Sequence, residues 1–292
     1  MKTLRRVGLE TGQLTDEELR YIDSRLIEAV RPALVARKLF PIFRLPHAGF
    51  TSVRAWKETD MGQATIDMHG ITQSKDRVQL EGFDVKVPVI HKEFLLYWRD
   101  VIASRYGGLP IETRSVESAG VQCSEEEDKL LLSGEVSGFR ALGIEGLMTA
   151  TGRNTKASAG AWPANAITDV GAAIGELEAD RHYGPYALLL RSSWLAKLRG
   201  LIASTGIFYL EKIAELVKAG IFVSDQLYTS AGATTSALVV EPGQQNFEMV
   251  VGQDLATFMQ QDEDMNVNGK VYEVVAPRIN RPTSIAELTG LT

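Results

Sequence analysis

VVGQDLATFM, residues 250–259, starts as an apolar strand and is interrupted after two valines by a glycine, an amide and a carboxylate. Gly252, Gln253 and Asp254 admit two readings. They are the mouth of an active site, because strand ends carry functional carboxylates in open α/β sheets. Or they are a junction where the chain leaves one domain for another.

The 292 residues carry 31 basic and 37 acidic side chains, a formal charge of −6. That balance lacks the basic stripe strong nucleic-acid binding requires, although a wall that merely encloses nucleic acid needs little affinity. Cys123 is the single cysteine, so the chain offers neither an internal disulfide nor a thiolate zinc cage. No run reaches the roughly 18 apolar residues of a membrane span, and none resembles a signal peptide. No membrane partner is expected.

Thr15-Asp-Glu-Glu18 has the form of a capping box. Leu19, Ile22, Leu26 and Val30 then recur at helical spacing, until Pro32 interrupts the helix. This helix either packs into the core of its own chain or forms an arm on a neighbouring one. Residues 48–80 read as a long, polar hairpin carrying Lys57, Glu58, Asp60, Lys75, Asp76 and Arg77. An isolated two-stranded ribbon is marginal in water, so another copy of the chain is expected to hold it. Phe83, Val85, Val87 and Val89 alternate as a half-buried strand, with Pro88 marking an edge or a bulge. Residues 111–134 read as a long helix stopped by Gly134. The acidic run Glu125–Asp128 inside it is expected on a solvated or inter-subunit face. GRNTKASAGAW (152–162) reads as loop, and Pro163 suits the first turn of a helix over 163–177. A strand (184–191), a serine-capped helix, a second helix ending at Gly220 and four more strands complete an α+β layer.

Catalytic motifs are scarce. No nucleophile elbow, phosphate-binding glycine loop or His-Glu-x-x-His pair occurs. The histidines are scattered. His91 and Glu93 would share a strand face as a base–carboxylate pair, or simply occupy a polar strand end. Asp225 and Asp254 end strands without an assignable partner. An uncharacterised α/β enzyme remains an alternative, with no motif in its favour.

The order of features resembles the tailed-phage capsid fold shared by viral major capsid proteins and encapsulin shells. EEEDKLLLSG (125–134) resembles the end of that family's spine helix, YGPYALLLRSSWLAKL (183–198) its Gly-Pro-Tyr strand and following helix, and VVGQDLATFM its Gly-Gln-Asp-Leu element. The resemblance implies an α+β, HK97-type capsid fold. It implies an N-terminal arm (1–46), an extended hairpin (47–80), a peripheral domain (81–150 and 259–276) and an apical domain (151–258 and 277–292). On it, Gly252 would turn the backbone while Gln253 and Asp254 bond groups the strand leaves unpaired. The implied function is self-assembly into an icosahedral shell of pentamers and possibly hexamers. First stands a viral major capsid protein enclosing DNA by weak contact, with portal, scaffold or decoration proteins, assembled in the host cytoplasm. The alternative is an encapsulin compartment enclosing a cargo protein. Lys57 and Lys75 match hairpin cross-linking lysines by position alone. Some encapsulins hold a flavin near the segment matching Tyr97 and Trp98; core packing is the expectation here, without a cofactor.

Overall fold

The computed structural model describes residues 14–58, 64, 66–69, 75–107, 110–134, 142–203, 206–228 and 235–292. Helix α1 (Asp16–Val30) begins with both halves of the capping box. Thr15 Oγ1 accepts the Glu18 N–H at 3.3 Å, and the Glu18 carboxylate accepts the Thr15 N–H at 2.7 Å. A single 3-10 turn (Ala36–Lys38) and the short strand β1 (Ile42–Arg44) complete the arm.

The arm packs on its own chain. Ile22, Leu26 and Val30 are buried against Val116, Ala119 and Cys123 of helix α3 (Arg114–Ser133). Gly120 permits this approach, since a Cβ there would lie 2.1 Å from Leu26 Cδ1. Leu19 is only half-buried. Of the two readings of this helix, the structure adopts the internal one, because its apolar stripe finds a complementary stripe on α3.

Two sheets form the body. In the first, β1, β9 (Phe247–Gln261), β10 (Val267–Ile279) and β4 (Val89–Leu96) lie in that order, with β1 parallel to β9 and the rest antiparallel. Pro88 separates β4 from β3 (Leu80–Lys86). The second sheet is mixed, in the order β5 (Asn154–Ala157), β11 (Ile285–Thr289), β8 (Ala237–Val240), β6 (Ala187–Leu190), β7 (Gly220–Val223). β5 arises from the stretch read as loop; it is a short edge strand paired to β11, too polar to show in hydropathy. β9 belongs wholly to the first sheet, so the chain changes sheets within 241–246 and 280–284.

β6 and β8 read as unbroken apolar runs because both their faces are covered. Leu188, Leu190, Ala237 and Val239 face α4 (Ala166–Ala179), α5 (Ser192–Leu198) and α6 (Tyr209–Leu216). Leu189, Leu238 and Val240 face a second core shared with Leu131, Leu132, Met249, Val251 and Val275. That shared core joins the two sheets. Pro163 falls in a turn before α4, which starts at Ala166. Ser192 does not cap α5 as expected: Arg191 holds the N-cap position, Ser192 is the first helical residue, and its N–H and hydroxyl both donate to the Asp225 carboxylate, at 3.0 and 2.8 Å.

Leu26→Ala is expected to cost about 2–5 kcal/mol, the range for truncating a buried leucine. It should lower the thermal midpoint and open α1 to limited proteolysis, and Gly120→Leu should expose α1 in the same way.

Candidate assembly surface and arm-docking cluster

β9 does not leave its sheet at Gly252; it runs on through the polar trio with two extra residues. Val251 pairs with Val275, Gln253 with Val274 and Ala256 with Tyr272, so two β-bulges fall between Val251 and Ala256. Gly252 therefore serves close packing and not a turn. Its backbone lies outside the left-handed region, and a Cβ would sit 3.0 Å from Val274 Cγ1. Gln253 Nε2 donates to the Asp254 carbonyl at 3.2 Å. Asp254 bonds side chains instead of strand backbone.

The bulge leaves Asp254 and Leu255 opposite Glu273, beside the arm. Arg37, from the 3-10 turn, lies among three carboxylates. Its Nε and Nη2 donate to the two oxygens of Glu127, each at 2.7 Å. Nη2 also donates to Glu273 at 3.0 Å, and Nη1 to Asp254 Oδ1 at 3.0 Å. Arg44, placed by the pairing of β1 with β9, donates to Asp254 Oδ2 at 2.6 Å. The side chains of Glu127 and Glu273 are 0% exposed, against 65% for Arg44.

This corrects the expectation for the acidic run. Glu125 and Glu126 are exposed, but Glu127 and Asp128 are buried. Asp128 accepts the N–H groups of Val35 (3.1 Å) and Ala36 (2.9 Å), capping the arm's turn. A sequence signal existed: Glu127 continues the four-residue spacing from Cys123 to Leu131 on the buried stripe of α3.

Environment sets the charge states. Burial, and next the adjacent Glu127, push Glu273 up to about 10. Burial also raises Asp128, to about 6, against the opposing N–H bonds of Ala36 and Val35. For Asp254 burial is outweighed by Arg44 and Arg37, which hold it below the usual carboxylate range. Burial acts on Arg37 too, yet Glu127, Glu273 and Asp254 together raise it further.

The ribbon is β2 (Ser52–Glu58) paired antiparallel with β3 (Leu80–Lys86). Its second strand is Leu80–Lys86, which overlaps the half-buried strand expected at Phe83–Val89 and lies mostly beyond the hairpin expected over 48–80. Its inner face is not left to a neighbour: Ala55, Val85 and Val87 are buried on Val250, Val274 and Ala276 of the same chain. The outer face differs. Trp56 is 47% and Leu80 56% exposed, while Ile66 and Met68, between the two strands in sequence, are 99% and 95% exposed. Arg54 lies over the Trp56 ring at 5.4 Å. Lys57 Nζ sits 5.3 Å from the Phe83 centroid, and Glu58 ends β2 opposite Leu80. Lys75, Asp76 and Arg77 are exposed on the return leg; Asp60 lies outside the described residues.

The remaining candidates do not converge. Glu93 pairs with Lys270 at 3.1 Å while His91 is exposed beside it. His182 is buried between Glu241 (2.7 Å) and Thr283 (3.0 Å), an order known from nucleophile triads. Glu241 also accepts from Gly184 N–H and Asn246 Nδ2, so the group ties three loops together. Tyr97 is 59% exposed where β4 turns into α2 (Trp98–Gly107), not in the core as expected.

Comparison with known proteins gives this architecture a family. Residues 1–276 match the Linocin M18 family model, described as encapsulating protein for peroxidase. The chain belongs to this encapsulin family. The type 1 encapsulin shell protein EncA of Myxococcus xanthus is 29% identical over 97% of this chain and 96% of its own length. A diheme-cytochrome–encapsulin shell fusion protein of Kuenenia stuttgartiensis is 27% identical over 94% of this chain and 73% of its own. In fold, the encapsulin chain is similar to the virus-like particle from Pyrococcus furiosus (TM-score 0.70, 21% identity, covering 94% and 98%). It is also similar to the capsid of Myoviridae phage XM1 (TM-score 0.67, 13% identity, covering 88% and 91%). The HK97-type fold and the non-enzymatic shell role implied by the sequence agree with these matches. The order of the two shell readings is reversed, because the family and the curated relatives are encapsulins while phage capsids share the fold alone.

Removing one partner of a buried ion cluster costs about 3–5 kcal/mol, whereas an exposed pair contributes at most about 1. Arg37→Met is therefore expected to destabilise the chain far more than Arg44→Met, as read from the chemical-denaturation midpoints of the two variants.

Proposed function

We propose that this chain is the subunit of a closed compartment that encloses a protein cargo, in preference to a capsid that packages DNA. The match to the encapsulating-protein family over residues 1–276 carries this reading. The charge of −6 adds support, as a wall made for DNA would gain from basic residues. On this reading the shell assembles in the cytoplasm and its principal partners are copies of itself and the cargo.

The outer face of the ribbon is the contact that closes the shell. Trp56, Leu80, Ile66 and Met68 are large apolar groups left in water by the chain's own packing. A neighbouring copy would cover them, and Lys57, Glu58, Lys75, Asp76 and Arg77 would set the register. Closure requires self-complementary or ring-forming surfaces, and weak contacts suffice when many act in parallel.

The purified protein is expected to elute as a megadalton species and to show closed shells by negative-stain electron microscopy. Deleting residues 57–76 should abolish the shells and leave a folded, soluble subunit. Particles isolated from their native source should contain a second protein and no nuclease-protected DNA; DNA-filled particles would restore the viral reading.

A further inference from the structure

The arm is held by a cluster whose charges balance only with one extra proton. Two guanidinium groups, Arg37 and Arg44, meet three carboxyl groups, Glu127, Asp254 and Glu273. Arg44 reaches Asp254 alone, so Glu127 and Glu273, both fully buried, share the single cation Arg37. Two buried carboxylates on one guanidinium leave a negative charge without a partner, a state a low-dielectric site resists.

We propose that Arg37, Glu127 and Glu273 form a proton-held latch that docks the arm's turn, and that losing the proton releases residues 33–40 from the body while β1 stays paired with β9. The polar ties of residues 33–40 to α3, β9 and β10 pass through this cluster or through Asp128 beside it, whereas β1 beyond them is held by its own ladder to β9. Arg37 is the arm's own contribution, and the carboxyl groups belong to the body. Release therefore separates like from unlike: the body keeps the surplus negative charge, now hydrated, and the turn leaves with Arg37, while Arg44 stays on β1 beside Asp254.

The groups facing Glu273 are few. From α3 come Glu127 and Cys123, whose thiol donates to the Val271 carbonyl at 3.7 Å. Burial raises that thiol to about 12, so it stays silent through the neutral and mildly alkaline range. From the arm comes Arg37, from β9 Asp254 with Arg44 behind it, and from β4 Lys92, opposite Val271 in the ladder. Asp128 titrates near 6 and is already charged above neutrality. Between pH 7 and 9.5 Glu273 is thus the group of this cluster whose protonation differs between docked and released arms. Its folded value, about 10, lies above its ordinary 4.5, so docking is strongest below 4.5 and weakens as pH rises toward 10.

Hydrogen exchange on assembled particles, corrected for intrinsic rates, tests this. Protection of residues 33–40 should fall between threefold and tenfold per pH unit from pH 7 to 9.5, relative to β6 and β8, the upper figure being one proton per opening. Glu273→Gln keeps the neutral hydrogen-bonding form and should flatten the slope; Glu127→Gln, which leaves Glu273 alone on Arg37, should do the same. Glu248→Gln removes another buried carboxylate of the same sheet, the one held by Arg278, and should keep the wild-type slope. A flat wild-type profile would overturn the latch. So would an unchanged slope in both Glu273→Gln and Glu127→Gln, or a slope lost equally in Glu248→Gln.

Discussion

Arg37 is the point at which four separate pieces of chain must agree. Glu127 comes from the long helix, Asp254 from a bulge in β9, Glu273 from β10, and the guanidinium from a turn of the arm. Burying a charge is tolerable only with well-directed partners. The planar fork of arginine can serve three carboxyl groups at once, which a lysine's single ammonium cannot do with the same geometry. The double bulge has its rationale here. A regular ladder gives each β10 residue one β9 partner; two extra residues aim Asp254 at the arm while Leu255 still packs among the apolar side chains under α3.

The same cluster explains how a chain of two sheets is held together with an arm crossing them. Phe40 and Leu39 of the arm enter the core shared by both sheets, and Ile22, Leu26 and Val30 close the other end of α3. Apolar burial supplies the larger part of the stability and has no direction. The polar cluster adds register: Arg37 meets all three acids only when the turn, the helix and the bulge are aligned. Asp128, capping the preceding N–H groups, fixes the turn from which Arg37 projects.

Much of the fold was legible in the sequence because local chemistry and tertiary packing agree there. Thr15 and Glu18 make the capping box they spell. ALLL and ALVV are strands buried on both faces, as unbroken apolar runs suggest. What stayed hidden depends on partners distant in sequence. Glu127 and Asp128 look like solvent-facing acids until Arg37 and the Val35 and Ala36 N–H groups arrive from some ninety residues away. Gly252-Gln253-Asp254 looks like a strand end, because a bulge interrupts alternation just as a terminus does. The polar β5 is a strand only through its pairing with β11. Position on the shell family's plan was readable; which family member it is was not, since capsids and compartments share the scaffold and differ in what they enclose.

The internal docking of the arm changes what must be asked of neighbouring copies. A subunit whose arm and ribbon base were both unsatisfied would fold only as it assembled, with the ordering entropy of both segments opposing association. Here α1 is seated on α3 and the ribbon base on β9 and β10, so most of that entropy is lost during folding of the single chain. Assembly then has little left to order in the arm or in the ribbon base. Contacts too weak to fold a segment are strong enough to join pre-shaped bodies, and their weakness lets misplaced copies leave before a shell closes. Strain in the arm would spread to the sheet that carries the ribbon, because Arg44 on β1 and Asp254 on β9 lie in the same sheet whose other face supports Ala55 and Val85. The state of the buried acids and the angle of the ribbon are thus mechanically connected through β9 and β10, the strands that touch both.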